Sequence, residues 1–218
     1  MEQKNDPNKH TQKKLKERLC INLGSGMDYR QSNKEKKWIN IDKHPKVKAD
    51  IHIDFIKKKL PFEDNSVDFA VCRNLLPHIK YRDMHKIIRE VHRVLKKGGI
   101  FYVNAIHFSS RCAWEPAHTQ AYNLRFFKEI FCDDIAIKDY YKFIQKRKIG
   151  KLFEVKSIKF KYINDEFIHL NTEKWGMKKR ISNDIISFLA NLNPNLCDRV
   201  WCHWVGGFDL IEGEFIKR

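Results

Sequence analysis

Short apolar runs alternate with polar stretches from Leu19 onward, and that alternation predicts a sheet of parallel strands. Leu19–Leu23 is short and mostly apolar, as a strand covered on both faces must be. Trp38–Asp42 predicts a second strand, and Ala49–Asp54, alternating polar and apolar, a third. Val67–Cys72 predicts a fourth and Ile100–Ile106 a fifth. Between these two, Met84, Ile87, Ile88, Val91, Val94 and Leu95 recur at three- and four-residue spacing, which predicts a helix over Arg82–Leu95. Lys96-Lys97 and then Gly98-Gly99 are expected to end it. The link from Gly26 to Trp38 is polar and has room for a turn or two, not a full helix.

Beyond His107 the pattern thins. Phe108–Tyr122 predicts a loop over a crevice, and Asn123–Phe131 a short Phe-rich helix. Phe153–Tyr162 alternates as an edge strand, and Gly207–Ile216 reads as the last strand. Asp184–Leu192 has amphipathic helical spacing and stops at Asn193-Pro194. Strand and helix in alternation make the fold class α/β, built on a parallel sheet.

Two strand ends carry the chemistry. Ile21–Leu23 runs into Gly24-Ser25-Gly26, a turn that lets a ligand approach the backbone closely. The next strand ends in Asp42, an acid able to accept hydrogen bonds from both hydroxyls of a ribose. In an open parallel sheet both ends face one crevice, so the pair describes a nucleoside site. A nicotinamide fingerprint requires a third glycine where this chain has Tyr29, which weakens that reading.

These runs resemble the first two motifs of the class I S-adenosylmethionine (SAM) methyltransferases, and within them the compact type 11 group. Leu23-Gly24-Ser25-Gly26, Ile39-Asn40-Ile41-Asp42, the stretch from Leu60-Pro61-Phe62 to Val67-Asp68, and Glu90 to Gly99 fall in that group's order. The likeness covers about Leu19 to His107. It implies a Rossmann-like sheet, mostly parallel with an antiparallel last strand. Phe153–Tyr162 and Phe208–Ile216 then form the closing hairpin, with a mostly helical insertion over about 164–204. The expected organisation is a basic tail over 1–18 and one domain over 19–218, with a cofactor half at 19–107 and an acceptor half at 108–218.

The same resemblance implies SAM as cofactor and S-adenosylhomocysteine as product. Gly24, Ser25 and Gly26 would approach the methionine and ribose, and Asp42 the ribose hydroxyls. Asp54 would lie beside the adenine amine, with Phe55 against the ring and Asn74 near the sulfonium. Asn22 stands where many relatives carry an acid. Methyl transfer needs a base only if the acceptor must lose a proton. His78, His107 and His118 are the candidates, with His107 expected to face the crevice. For His78 the competing reading is a structural cap on the following loop. Trp114, Tyr122, Phe126 and Phe127 are candidates for an acceptor pocket or for core. Cys197, Cys202 and His203 match no zinc spacing, so no metal site is expected.

The implied function is transfer of a methyl group to oxygen or nitrogen of a small molecule or glycan. Two rivals stand beside it: an RNA methyltransferase, and a non-catalytic protein that keeps the fold. The first is prompted by charge. The chain carries 43 Lys and Arg against 27 Asp and Glu, a net +16. Lys138–Arg180 is especially basic, so nucleic acid is a candidate partner through this patch. No apolar run approaches the roughly 20 residues of a membrane span. The N-terminus lacks a signal-peptide core, and the six cysteines suit reduced thiols, so a cytoplasmic protein is expected. Phe188 and Leu192 leave a homodimer as a candidate arrangement.

Overall fold

A computed structural model describes residues 17–132, 152–163 and 177–218. Seven strands form one sheet: β1 (Arg18–Leu23), β2 (Lys36–Asp42), β3 (Ile51–His52), β4 (Val67–Arg73), β5 (Leu95–Ile106), β6 (Phe153–Lys161) and β7 (Leu210–Lys217). Their order is β3-β2-β1-β4-β5-β7-β6. The first five are mutually parallel, and β7 runs antiparallel between β5 and β6. This is the Rossmann-like sheet with a closing hairpin. The chain winds outward from β1 in one direction and from β4 in the other, so a crevice opens at the carboxyl ends of β1 and β4.

Apolar runs in β1, β4 and β5 place Ile21, Leu23, Ala70, Cys72, Phe101 and Val103 in the core with under 2 % exposure. Helix α1 (Tyr81–Val94) turns Met84, Ile87, Ile88, Val91 and Val94 onto that core, as the spacing requires. Arg93 on α1 then organises the turn-rich approach to β4: its guanidinium donates to the carbonyls of Leu60 and Phe62 and to Glu90 and Asp64.

The structure departs from the pattern at several element ends. β3 is two residues long, not six; on its flanks the Asp50 carboxylate accepts from Asn40 N on β2, and Asp54 turns back on Ile56 N. β5 begins at Leu95, directly after α1, and the Gly-Gly pair lies inside the strand instead of stopping the helix. Gly98, at φ +76°, takes up the irregularity in the β4–β5 register. The end of α1 is held by a cation from elsewhere: Lys217 Nζ donates to the carbonyls of His92 (2.6 Å) and Leu95 (2.7 Å).

Helix α2 (Leu124–Cys132) and helix α3 (Met177–Leu192) follow in the second half. Asn193, whose side chain accepts from Leu196 N, separates α3 from a run of helical turns, Pro194–Leu196, Cys197–Trp201 and Cys202–Trp204. The helical part of the anticipated insertion thus spans 177–204; residues 164–176 lie outside the described residues, as do 1–16 and most of the basic stretch Lys138–Arg180. α3 lies along the outer edge of β6. Asn191 accepts from Phe160 N (2.8 Å) and donates to Phe160 O (2.9 Å). Ser187 Oγ accepts from Tyr162 N, and Asn183 Oδ1 from Ile163 N.

Candidate functional site

The crevice is built from two strand ends held in register. Leu23 on β1 lies opposite Ile41 on β2 and Cys72 on β4. The glycine turn follows at once, and Ser25 N donates to Ile41 O at 3.0 Å. Gly24 has φ +64°, which favours glycine, and Leu75 lies over it: a Cβ there would meet Leu75 Cδ1 at 2.8 Å and push that side chain aside. At Gly26 the opposite holds: a Cβ would meet nothing nearer than 3.9 Å, and the backbone is open to a ligand.

Asp42 sits across from this turn. Its Oδ2 accepts from Gly26 N (3.0 Å) and its Oδ1 from His44 N (2.8 Å). A charged acceptor on a backbone N–H is among the stronger hydrogen bonds, so Asp42 sets the shape of the glycine turn. Each oxygen retains a lone pair for a hydroxyl.

No helix joins β1 to β2; residues 24–35 cross as an extended loop. A buried amide network replaces it. Asn22 Nδ2 donates to Asp28 O (2.6 Å) and to Asn40 Oδ1 (3.1 Å). Asn40 Oδ1 also accepts from Arg30 N, and its Nδ2 donates to Arg30 O and to Asp50. Asp50 accepts Tyr29 Oη at 2.7 Å. Burial pushes the Asp50 carboxyl up, but the bonds from Asn40 and Tyr29 outweigh it and hold it below its ordinary value. Arg73, at the end of β4, reaches Asp28 at 3.4 Å. Asn22 therefore acts from inside the sheet on the loop, as a positioning group. Asn40, Asp50 and Arg73 were not singled out by the sequence pattern, although Asn40 lies within the Ile39–Asp42 run.

After β4, Asn74 takes φ +51° and its N–H donates to Asn104 Oδ1 at 2.8 Å. Two buried oxygens at the crevice have no partner: Ser25 Oγ and Asn74 Oδ1. An orphaned buried acceptor costs on the order of 1–3 kcal/mol, and a ligand with an amine, hydroxyl or positive centre would satisfy both. Asp54 caps its own turn through Ile56 N (3.2 Å) and lies 3.5 Å from Lys57. Phe55 is packed into the core at 8 % exposure.

The three histidines separate into two places. His78 lies in the 3-10 turn Leu76–His78 and His118 in the loop after β5, with ring centroids 4.9 Å apart. The Nδ1 of His78 faces Ala117 O (3.1 Å) and that of His118 faces Cys112 O (2.7 Å). A carbonyl can only accept, so each Nδ1 carries the proton, and in the neutral ring each Nε2 holds a lone pair. Thr119 ties the two segments: its N–H donates to Pro77 O, and its one hydroxyl hydrogen lies between the carbonyls of Pro77 and Ile79.

His107 was expected to face the crevice but is fully buried. Ser109 N approaches its Nδ1 (3.4 Å), as does Ser109 Oγ (2.7 Å). Its Nε2 lies 3.1 Å from Asp198 Oδ1. Nδ1 is thus the acceptor and Nε2–H the donor, and neither nitrogen is left for an acceptor substrate. Asp198 Oδ1 also takes Leu124 N at 3.0 Å, so this one carboxylate joins β5, α2 and the turns after α3.

Beyond the end of β5 a cleft of about 320 Å³ is walled by Phe108, Ser109, Ser110 and Trp114 on one side and Cys202, His203, Gly206 and Gly207 on the other. The walls close tightly: Gly207 has φ +95°, and a Cβ there would lie 2.1 Å from Ser109 O. Of the aromatics considered as pocket or core, Tyr122 and Phe127 are core, while Trp114 stands 86 % exposed at the cleft. Cys197 and Cys202 are buried in the core cluster.

Residues 10–103 match the family model described as a methyltransferase domain, of type 11. A SAM-dependent methyltransferase from Archaeoglobus fulgidus aligns at 13 % identity over 94 % of this chain and 88 % of its own, with a TM-score of 0.56. One from Methanosarcina mazei aligns at 14 % identity over 92 % of each chain, TM-score 0.54. The cyclase SpnF shares the fold at 16 % identity over 92 % of this chain and 75 % of its own, TM-score 0.54. No protein of curated function matches the chain.

Proposed function

We propose that this protein is a SAM-dependent methyltransferase of the type 11 kind, a reading supported by the family match over residues 10–103, and that it moves a methyl group from SAM to an oxygen or nitrogen of a small molecule or glycan. SAM supplies the chemistry as a methyl group activated on a sulfonium. The single observation that carries the reading is the pairing of Asp42 with Gly26 N across the crevice, beside the unpartnered oxygens of Ser25 and Asn74.

In this reading Asp42 accepts the ribose hydroxyls while it keeps the glycine turn in shape. Ser25 Oγ and Asn74 Oδ1 offer lone pairs to the amine and to the positive sulfur end. Leu75, packed over Gly24, excludes water from that end. Where the acceptor must lose a proton, Nε2 of His78 or His118 takes it, because both rings are oriented by carbonyls through Nδ1. The turn Arg111–Trp114 connects this pair to the cleft: Cys112 O holds His118, and Trp114 forms a cleft wall. A cleft of about 320 Å³ suits a small acceptor or a single sugar better than a duplex.

Calorimetric titration with SAM and S-adenosylhomocysteine tests the reading. Micromolar binding is expected, weakened at least tenfold, about 1.4 kcal/mol, by Asp42→Ala. Absence of binding to folded wild-type protein would sink it.

A further inference from the structure

Helix α3 carries two apolar faces. Inward, Ile186 and Ala190 pack on the core, beside Asn183, Ser187 and Asn191, which bond backbone at or just beyond the end of β6. A second apolar set is turned to solvent. Ile181, Ile185, Phe188, Leu189 and Leu192 recur at three- and four-residue spacing, with Phe188 and Leu192 each 65 % exposed. Past the bend at Asn193 the series continues at four-residue steps through Leu196, Val200 and Trp204, the last 78 % exposed. At roughly 200 Å² for a large apolar side chain, these exposures amount to on the order of 900 Å². The largest apolar patch on a typical monomer is about 300–600 Å².

Charge identifies what covers this face. Lys178-Lys179-Arg180 occupy the first turn of α3, and Arg199 stands exposed beside Val200. Adjoining the far end, a cavity of about 430 Å³ has Arg125, Lys128 and Arg199 in its wall. Between residues 181 and 204 the one exposed acid is Asp184; Asp198 is turned inward on His107. Self-association would bury a standard-sized interface. Two copies would, however, bring together two strongly cationic chains, like charge on like. The chain as a whole carries +16. An apolar stripe with aromatic residues and cationic flanks matches the interface of an anionic bilayer.

We propose that the face from Ile181 to Trp204 seats the protein peripherally on an anionic lipid surface, the apolar side chains entering the headgroup boundary and the cations about Arg199 meeting lipid phosphates. This is docking, not spanning: among the described residues no helix is long and apolar enough to cross a membrane.

Co-sedimentation tests the proposal, using vesicles of phosphatidylcholine alone and vesicles in which a third of the lipid is phosphatidylglycerol. The wild type is expected to partition at least tenfold more strongly onto the anionic vesicles, and added salt to weaken that binding. Phe188→Glu with Leu192→Glu is expected to lower it at least tenfold with an unchanged thermal melt. Trp204→Ser, on a separate turn, is expected to lower it as well. Failure of the wild type to bind anionic vesicles overturns the proposal. So does a dimer in sedimentation equilibrium that the double variant dissolves, which would assign the face to a second copy. A double variant that melts lower while vesicle binding is unchanged also overturns it, because the face would then be covered from within the chain. Neither SAM binding nor methyl transfer enters these readouts, so this proposal and the proposed activity fail separately.

Discussion

Gly24→Ala probes the crevice where conformation and packing can be separated. The residue sits at φ +64°, and an added Cβ would lie 2.8 Å from Leu75 Cδ1 and 2.9 Å from Leu75 Cδ2. The left-handed conformation costs a non-glycine residue roughly 1–2 kcal/mol. Leu75 is half-buried and its methyls can swing aside, so making room for the Cβ costs about 0.5–1.5 kcal/mol more. Gly24→Ala should therefore lose about 1.5–3.5 kcal/mol of unfolding free energy. Leu75→Ala removes both opposing methyls, so the double variant should recover the packing part and keep the conformational part. The expected result is a shortfall from additivity of about 0.5–1.5 kcal/mol, measured by urea unfolding on all four corners of the cycle. Additivity within about 0.3 kcal/mol would refute the placement of Leu75 over the glycine turn.

Burial pushes the thiols of Cys72 and Cys197 up to about 12 from an ordinary 9.0, Asp198 and Cys202 adding to the effect on Cys197. The unfolded chain therefore loses these protons first. Their contribution is whole below about pH 9 and falls as pH rises toward 12, by about 1.4 kcal/mol per pH unit for each thiol. Urea unfolding between about pH 9 and pH 10, where the unfolded thiols are half to fully titrated, should show about 1 kcal/mol of that loss for each, and less in Cys72→Ala; Lys217, pushed down by burial, opposes it. Asp198→Ala leaves His107 Nε2–H and Leu124 N–H without their acceptor, and should cost about 2–4 kcal/mol in chemical unfolding. Asp198→Asn keeps one acceptor oxygen and should cost less than half of that; equal losses would speak against the shared bond.

Strands β1, β2, β4 and β5 and helix α1 were legible in the sequence because each buries a continuous or helically spaced apolar set; β3, which buries neither of its two residues, is far shorter than its alternating pattern implied. The glycine turn and Asp42 were legible because they follow strands directly. Side-chain direction was not. His107 lies where the pattern puts it, at the end of β5, yet its ring points into the protein, because its partner Asp198 is 91 residues away. Asn40 looked like any strand residue, and only the fold brings Asn22, Arg30 and Asp50 around it. Helical spacing in α3 was legible, but periodicity gives two faces and does not say which is inside. That is decided by Phe160, Tyr162 and Ile163, whose backbone groups attract Asn191, Ser187 and Asn183.

Those same three side chains have a consequence for polymerisation. A sheet ends in two rims of unpaired peptide groups, and each rim is a template on which a foreign strand can grow. Here the β3 rim is only two residues long. The β6 rim has its amides and a carbonyl occupied by the amides and hydroxyl of α3 at the end where it emerges from the hairpin. Strand addition there would first have to displace a helix. At this end the antiparallel border is thereby withheld from fibril growth or domain exchange.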